Sequence, residues 1–151
     1  MKVRDVMTRD PQSIRSDATI EDAARAMRDH RIGILPVVAS DGTVVGTITD
    51  RDIAIRAVAQ GLKPTAWVRE AMTPGVEFCH EDDTVDDVAR RMADKKLHRV
   101  VVMEEDDRAM RGIVSIGDLA IRGDDKKLVG DVLARVSVTY GTHGAHHRAG
   151  F

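Results

Sequence analysis

The sequence predicts a mixed α/β protein (α+β in layout) made of two copies of one β-α-β-β-α unit, related pseudo-symmetrically, with their apolar faces buried against each other. Two observations predict it. First, the chain matches itself: VRDVMT at 3–8 lies over VREAMT at 68–73, ATIEDAARAM at 18–27 over DTVDDVARRM at 83–92, and GTITDRDIAIR at 46–56 over GIVSIGDLAIR at 112–122. Second, helical and strand periodicities follow one another in the same order in each copy. Two copies are too few for a solenoid, which needs three or more repeats to bury its faces.

Each element has a local reason. A short extended piece, Gln12 to Arg15 in the first copy and Val76 to Cys79 in the second, leads into a helix. Thr19 and Thr84 cap those helices, each with an Asp three residues on (Asp22, Asp87), as a capping box prefers. Ile20, Ala24 and Met27, matched by Val85, Ala89 and Met92, supply one apolar helical face. Strands are expected over Ile34 to Val38, Val44 to Ile48, Val100 to Met103 and Gly112 to Val114. Ser40-Asp41-Gly42 is a hairpin turn, and the acidic run at 104–107 is a solvated one. A second helix follows each repeated phrase, ending at Gly61 in the first copy. The expected division is a first repeat over 1–61, a linker (LKPTAW) over 62–67, a second repeat over 68–123, and a helix and disordered tail over 124–151.

Composition narrows the function. With 42% apolar and 32% charged residues of both signs, the chain has the balance of a soluble globular protein. A net charge of −2 gives no basic field for nucleic acid, and 3% aromatics give no base-stacking platform. No apolar run reaches the roughly 18 residues of a membrane span, and MKVRDVMTRD has no signal-peptide core. The single cysteine, Cys79, fits a reducing compartment. A cytoplasmic protein that binds neither nucleic acid nor membrane is expected.

The repeated phrase contains Thr49-x-x-Asp52 and Ser115-x-x-Asp118. One explanation is structural: a hydroxyl and an acid at this spacing cap a helix. A strand runs directly into each hydroxyl, however, and puts the helix start at the strand end. Free N–H groups there favour an anion, and a carboxylate one turn in accepts hydrogen bonds from vicinal ribose hydroxyls. Phosphate and ribose together describe a nucleotide. Capping and ligand binding are compatible.

The tandem βαββα unit, each copy closing on glycine, two apolar residues, a hydroxyl and an Asp three further on, resembles a pair of CBS domains over Val3 to Arg122. The resemblance implies a regulatory module whose domains pack through their sheets. Adenosine-containing ligands such as AMP, ATP, NAD or S-adenosylmethionine bind in clefts between them, and two modules pair as a disc-shaped homodimer. By the same resemblance Asp52 and Asp118 hold riboses, and Thr49 and Ser115 sit by ribose or phosphate. Adenine lies near Ile14 in one cleft and near Val76 and Phe78 in the other, with Ile34, Leu35 and Pro36 lining a wall. His98 and Arg99 resemble a phosphate-reaching dipeptide. Their counterparts are Gly33 and Ile34, and that of Arg51 is Gly117, so the clefts are unequal. The better anion site is expected at Ser115 and Asp118, with Arg51 and Arg99 as phosphate contacts.

Other residues read as structure. Cys79 is expected to be a small buried hydrophobe, with His80 pointing to the opposite strand face. Trp67 is an anchor at the junction or dimer surface, and the methionines fill core. His143, His146 and His147 lie in a Gly-rich tail without a rigid scaffold for a metal. No nucleophile elbow, phosphate loop or metal-protease motif occurs, so no catalytic residue, metal or catalytic cofactor is expected. The expected function is adenosine-ligand sensing, read by an unidentified effector protein. A ligand-independent dimerisation scaffold and a nucleotide hydrolase are the alternatives.

Overall fold

In chain order the elements of the computed structural model, which describes residues 1–107 and 109–137, begin with α1 (Val3–Val6), β1 (Thr8–Arg9), β2 (Ile14–Arg15) and α2 (Ile20–His30). There follow β3 (Ile34–Val38), β4 (Val44–Thr49), α3 (Asp50–Asp52, continued by a π-helical stretch over Ile53–Val58), a 3-10 turn at Val68–Glu70, and β5 (Thr73–Pro74). The remainder are β6 (Phe78–His80), α4 (Val85–Lys95), β7 (Arg99–Met103), β8 (Met110–Ser115), α5 (Ile116–Arg122) and α6 (Lys126–Ser137). They form two compact units: a first, Pro11–Val76, and a second, Met1–Asp10 with Glu77 onward.

Each unit has a four-stranded sheet of the same design. In the first, β2 runs parallel to β3 (Ile14 opposite Val37), β4 turns back antiparallel (Thr49 opposite Ile34), and β5 adds antiparallel to β4 (Thr73 opposite Thr47). In the second, β6 runs parallel to β7 (Cys79 opposite Val102), β8 turns back (Ser115 opposite Arg99), and β1 adds to β8 (Thr8 opposite Ile113). The fourth strand is new relative to the βαββα expectation, and it comes from the other sequence repeat. VRDVMT at 3–8 feeds the second unit and VREAMT at 68–73 the first. Sequence repeat and compact unit therefore have different bounds.

This exchange explains the glycine that opens each repeated phrase. A Cβ on Gly46 would overlap the Thr73 carbonyl oxygen, and one on Gly112 would lie 2.6 Å from the Thr8 oxygen. Only a residue without a side chain lets the borrowed strand approach.

Both helix caps form, the first as a full capping box and the second through the threonine side chain alone. Asp22 N–H donates to Thr19 Oγ1 (3.0 Å) and Thr19 N–H to Asp22 Oδ2 (3.1 Å); Asp87 N–H donates to Thr84 Oγ1 (3.2 Å). The first core gathers Ile20, Ala23, Met27, Leu35, Val37, Ile48 and Ala57. Ala24 is exposed, contrary to expectation: the buried stripe of α2 runs through 20, 23 and 27, and Ala23 takes the inward place. In the second unit Val3, Val6, Met7, Cys79, Val88, Ala89, Met92, Val102, Val114 and Leu119 form the core. There α6 lays Val132 and Val136 over α4 and α5, and Arg135 pairs with Asp94 at 2.8 Å.

At three junctions the structure adds local detail. The helix after the first phrase ends at Val58, and Gly61 (φ 76°) lies in the turn beyond it. The 62–67 segment is tied down, since Ile20 N–H donates to Ala66 O (2.9 Å). Trp67 is half-exposed under the Arg69 guanidinium, 3.4 Å from its ring centroid. The Ser40–Gly42 turn is as expected, with Gly42 at φ 86° and Ala39 N–H donating to Thr43 O. In the acidic turn Glu104 pairs with Arg111 and Asp107 with His80. The tail histidines lie outside the described residues.

Candidate functional site

The two motifs build the same side-chain quartet. At the end of β4, Thr49 and Asp52 are buried. Asp52 N–H donates to Thr49 Oγ1 and Thr49 N–H to Asp52 Oδ2, both at 3.0 Å. Thr73 Oγ1, brought in by β5, stands 3.4 Å from Asp52 Oδ1, and Arg56 Nε stands 3.6 Å from it. Arg56 also donates to Met72 O (3.0 Å). At the end of β8, Ser115 N–H and Ser115 Oγ both donate to Asp118 Oδ2 at 2.8 Å, and Asp118 N–H donates to Ser115 Oγ at 3.0 Å. Thr8 Oγ1 stands 3.4 Å from Asp118 Oδ1 and Arg122 Nη1 3.8 Å from it. Arg122 also donates to Val6 O and Met7 O, both at 3.1 Å.

In each quartet one carboxylate oxygen is committed to the cap. The other meets its neighbours beyond the 2.7–3.2 Å of a well-made bond, so it keeps accepting capacity for a ligand hydroxyl. The Asp118 side chain is 18% exposed and that of Asp52 6%, so Asp118 is the more accessible of the two. Thr8, Thr73, Arg56 and Arg122 were not among the expected site residues. Their signal was present, because both threonines and both arginines recur in the repeat. Only the strand exchange reveals that each threonine serves the other copy's aspartate.

Free N–H groups were expected at both helix starts. In the first unit all three are taken: Asp50 N–H by Gly33 O (3.0 Å), Arg51 N–H by Asp50 Oδ1 (2.8 Å), and Asp52 N–H by Thr49. In the second, Ile116 N–H goes to His98 O (3.1 Å) and Asp118 N–H to Ser115.

The second unit brings Arg99 directly across from Ser115, and among the described residues its guanidinium has no ion-pair partner. His98 is half-buried, and burial, then the Arg99 charge, pushes its pKa below the usual imidazole value. In the first unit Ile34 faces Thr49 across the hairpin. Leu35 lies in the core cluster, and strand alternation leaves Ile34 and Pro36 on the opposite face. Ile14 and Val76 are half-buried in that unit, and Arg51 is exposed on its first helical turn. Phe78, 38% exposed, presents its ring edge-on to His80 at 5.7 Å. A pocket of about 120 Å³ between α4, α5 and α6 contains none of the expected site residues. Among the described residues no group of three His, Cys, Asp or Glu could hold a metal ion, and no helix is long and apolar enough to cross a membrane.

Compared with protein families, residues 3–58 and 68–125 each match the CBS domain. YlbB of Bacillus subtilis, an uncharacterized protein, is 34% identical over 137 residues, covering 90% of this chain and 91% of its own. The CBS domain protein TA0289 of Thermoplasma acidophilum, whose function is unknown, superimposes with a TM-score of 0.78 at 26% identity, over 89% of this chain and 75% of its own. The CBS domain pair of protein MJ0100, solved with 5′-methylthioadenosine and S-adenosyl-L-methionine, has a TM-score of 0.70 at 36% identity, over 80% of this chain and 93% of its own.

Proposed function

We propose, on the premise that this chain belongs to the CBS domain family, that it is a regulatory module binding adenosine-containing ligands at the aspartates of its two motifs. The observation that carries this is the duplicated quartet, in which Asp52 and Asp118 each keep one loosely held carboxylate oxygen. The adenosyl ligands of the MJ0100 pair support the same ligand class. Asp118 and Asp52 accept from ribose hydroxyls, with Thr49 and Ser115 beside them. Arg99 and His98 are the phosphate-side groups, and Ile14, Ile34, Pro36, Val76 and Phe78 the adenine-side ones. AMP, ATP, NAD and S-adenosylmethionine are the candidate ligands.

The protein acts in the cytoplasm through an effector protein and not as an enzyme; it shifts between shapes by the ligand's differential affinity for them. Ile55 and Ile121, equivalent positions of the two copies, are 50% and 81% exposed, and such apolar positions suit pairing of two chains. The complete capping boxes favour one rival: a scaffold in which the motif only starts helices.

Thermal melts with AMP, ATP, NAD, S-adenosylmethionine and 5′-methylthioadenosine test the proposal. A bound ligand at about 100 times its Kd stabilises by about 2.7 kcal/mol. No rise in Tm with any of them, at millimolar ligand, leaves the scaffold; ligand turnover on long incubation would favour a hydrolase.

A further inference from the structure

The side chains at the hairpin corner beside each quartet differ between the two units: Asp50 stands over the corner in the first, with Arg51 next to it on the exposed turn, and Arg99 in the second. In the first, Asp50 starts the helix and its carboxylate covers Gly33: a Cβ there would stand 3.1 Å from Asp50 Oδ2. The same carboxylate accepts the Arg51 N–H at 2.8 Å, so an anionic group of the protein already occupies the helix start. In the second unit the corresponding places hold Ile116, which is buried, His98 and Arg99. The two corners are equivalent in structure: Ile34 faces Thr49 as Arg99 faces Ser115, and Gly33 O receives the Asp50 N–H as His98 O receives that of Ile116. Only the side chains differ.

Resting on the adenosine reading above, we infer that the first-unit site selects an adenosyl ligand with no negative charge on its 5′ group, such as a nucleoside, a thioether or a sulfonium. A ribose held on Asp52 and Thr49 directs its 5′ substituent toward the Gly33 corner, as the His98-Arg99 side serves in the second unit. There a phosphate meets the Asp50 carboxylate and finds the nearest N–H groups taken. A neutral thioether meets no repulsion, and a sulfonium is attracted. The second-unit site, with Arg99 and no carboxylate at that corner, accepts a phosphate.

Calorimetric titration of the full chain and of Asp118→Ala, which leaves only the first site, tests this with AMP and 5′-methylthioadenosine as probes. Asp118→Ala is expected to bind 5′-methylthioadenosine at least about tenfold more tightly than AMP. Adding Asp50→Asn is expected to raise AMP affinity about tenfold, the effect of removing one nearby like charge, with less than about a twofold change for 5′-methylthioadenosine. Equal affinity for both probes in Asp118→Ala, or an equal response of both to Asp50→Asn, overturns the inference. Binding by the wild type but not by a folded Asp118→Ala overturns it while leaving the adenosine reading intact. No binding by the wild type overturns both. Should Asp118→Ala lose its cooperative melt, Asp118→Asn takes its place.

Discussion

Thr8 and Asp118, 110 positions apart, are hydrogen-bond neighbours: Thr8 Oγ1 stands 3.4 Å from Asp118 Oδ1, as Thr73 Oγ1 stands 3.4 Å from Asp52 Oδ1. The leading segment of each sequence repeat thus completes the carboxylate site of the other. Truncating one repeat removes three strands from one sheet and the fourth strand from the other, so each half of the chain depends on the other to finish its site.

Replacing Thr8 by Val keeps the shape and removes the hydroxyl. The long, exposed contact contributes little, so stability falls by about 0.5–1 kcal/mol in denaturant melts. Adenosyl affinity at the Asp118 site falls further, because the unassisted carboxylate is less well aimed.

The repeated glycines predict the largest single-residue losses. Gly46→Ala and Gly112→Ala push a Cβ into the backbone of the exchanged strand and cost about 2–3 kcal/mol each. Gly130→Ala, inside α6 with nothing within 4 Å of its new Cβ, gains about 0.5–1 kcal/mol. The three variants, compared by urea unfolding, separate close approach from helix propensity.

His80 and Asp107 predict a pH dependence. Nε2 lies 2.7 Å from Asp107 Oδ1, and that hydrogen bond, opposed by burial, raises the imidazole pKa, with Asp107, Asp83 and Glu105 charges adding. The folded state therefore prefers the protonated ring. Its contribution is full below the unfolded value of about 6.5 and is lost as pH rises through the higher folded one. The Tm difference between wild type and Asp107→Asn is expected to be larger at about pH 5.5 than at about pH 8.5. A difference independent of pH would remove the pair from the account.

Cys79 predicts silence. Burial, with the Asp83 charge adding, pushes its thiol pKa up to about 12. The native chain is expected to resist alkylation near pH 8 and to react at the rate of unfolding; prompt labelling of folded protein would contradict this.

Much of this was legible beforehand. The repeat, the capping hydroxyls and the strand-to-helix placement of Asp52 and Asp118 depend on neighbours in sequence, and local physics settles them. Cys79 read correctly because its strand face was set by alternation with His80. What sequence could not settle depends on partners far along the chain. Thr8 and Thr73 recur visibly, yet nothing local says that their strands cross to the other copy. Leu35 sat in a run of apolar residues whose inward face only the register fixes. Asp50 takes on meaning only through the hairpin, which sets its carboxylate over Gly33.

The most direct measurement is the stoichiometry of 5′-methylthioadenosine binding by calorimetry to wild type, Asp52→Ala, Asp118→Ala and the double variant, each verified folded. The account predicts a signal that loses one site with each single change and disappears in the double. Undiminished binding by the double variant would show that the ligand sits elsewhere and that the duplicated motif serves only to start two helices.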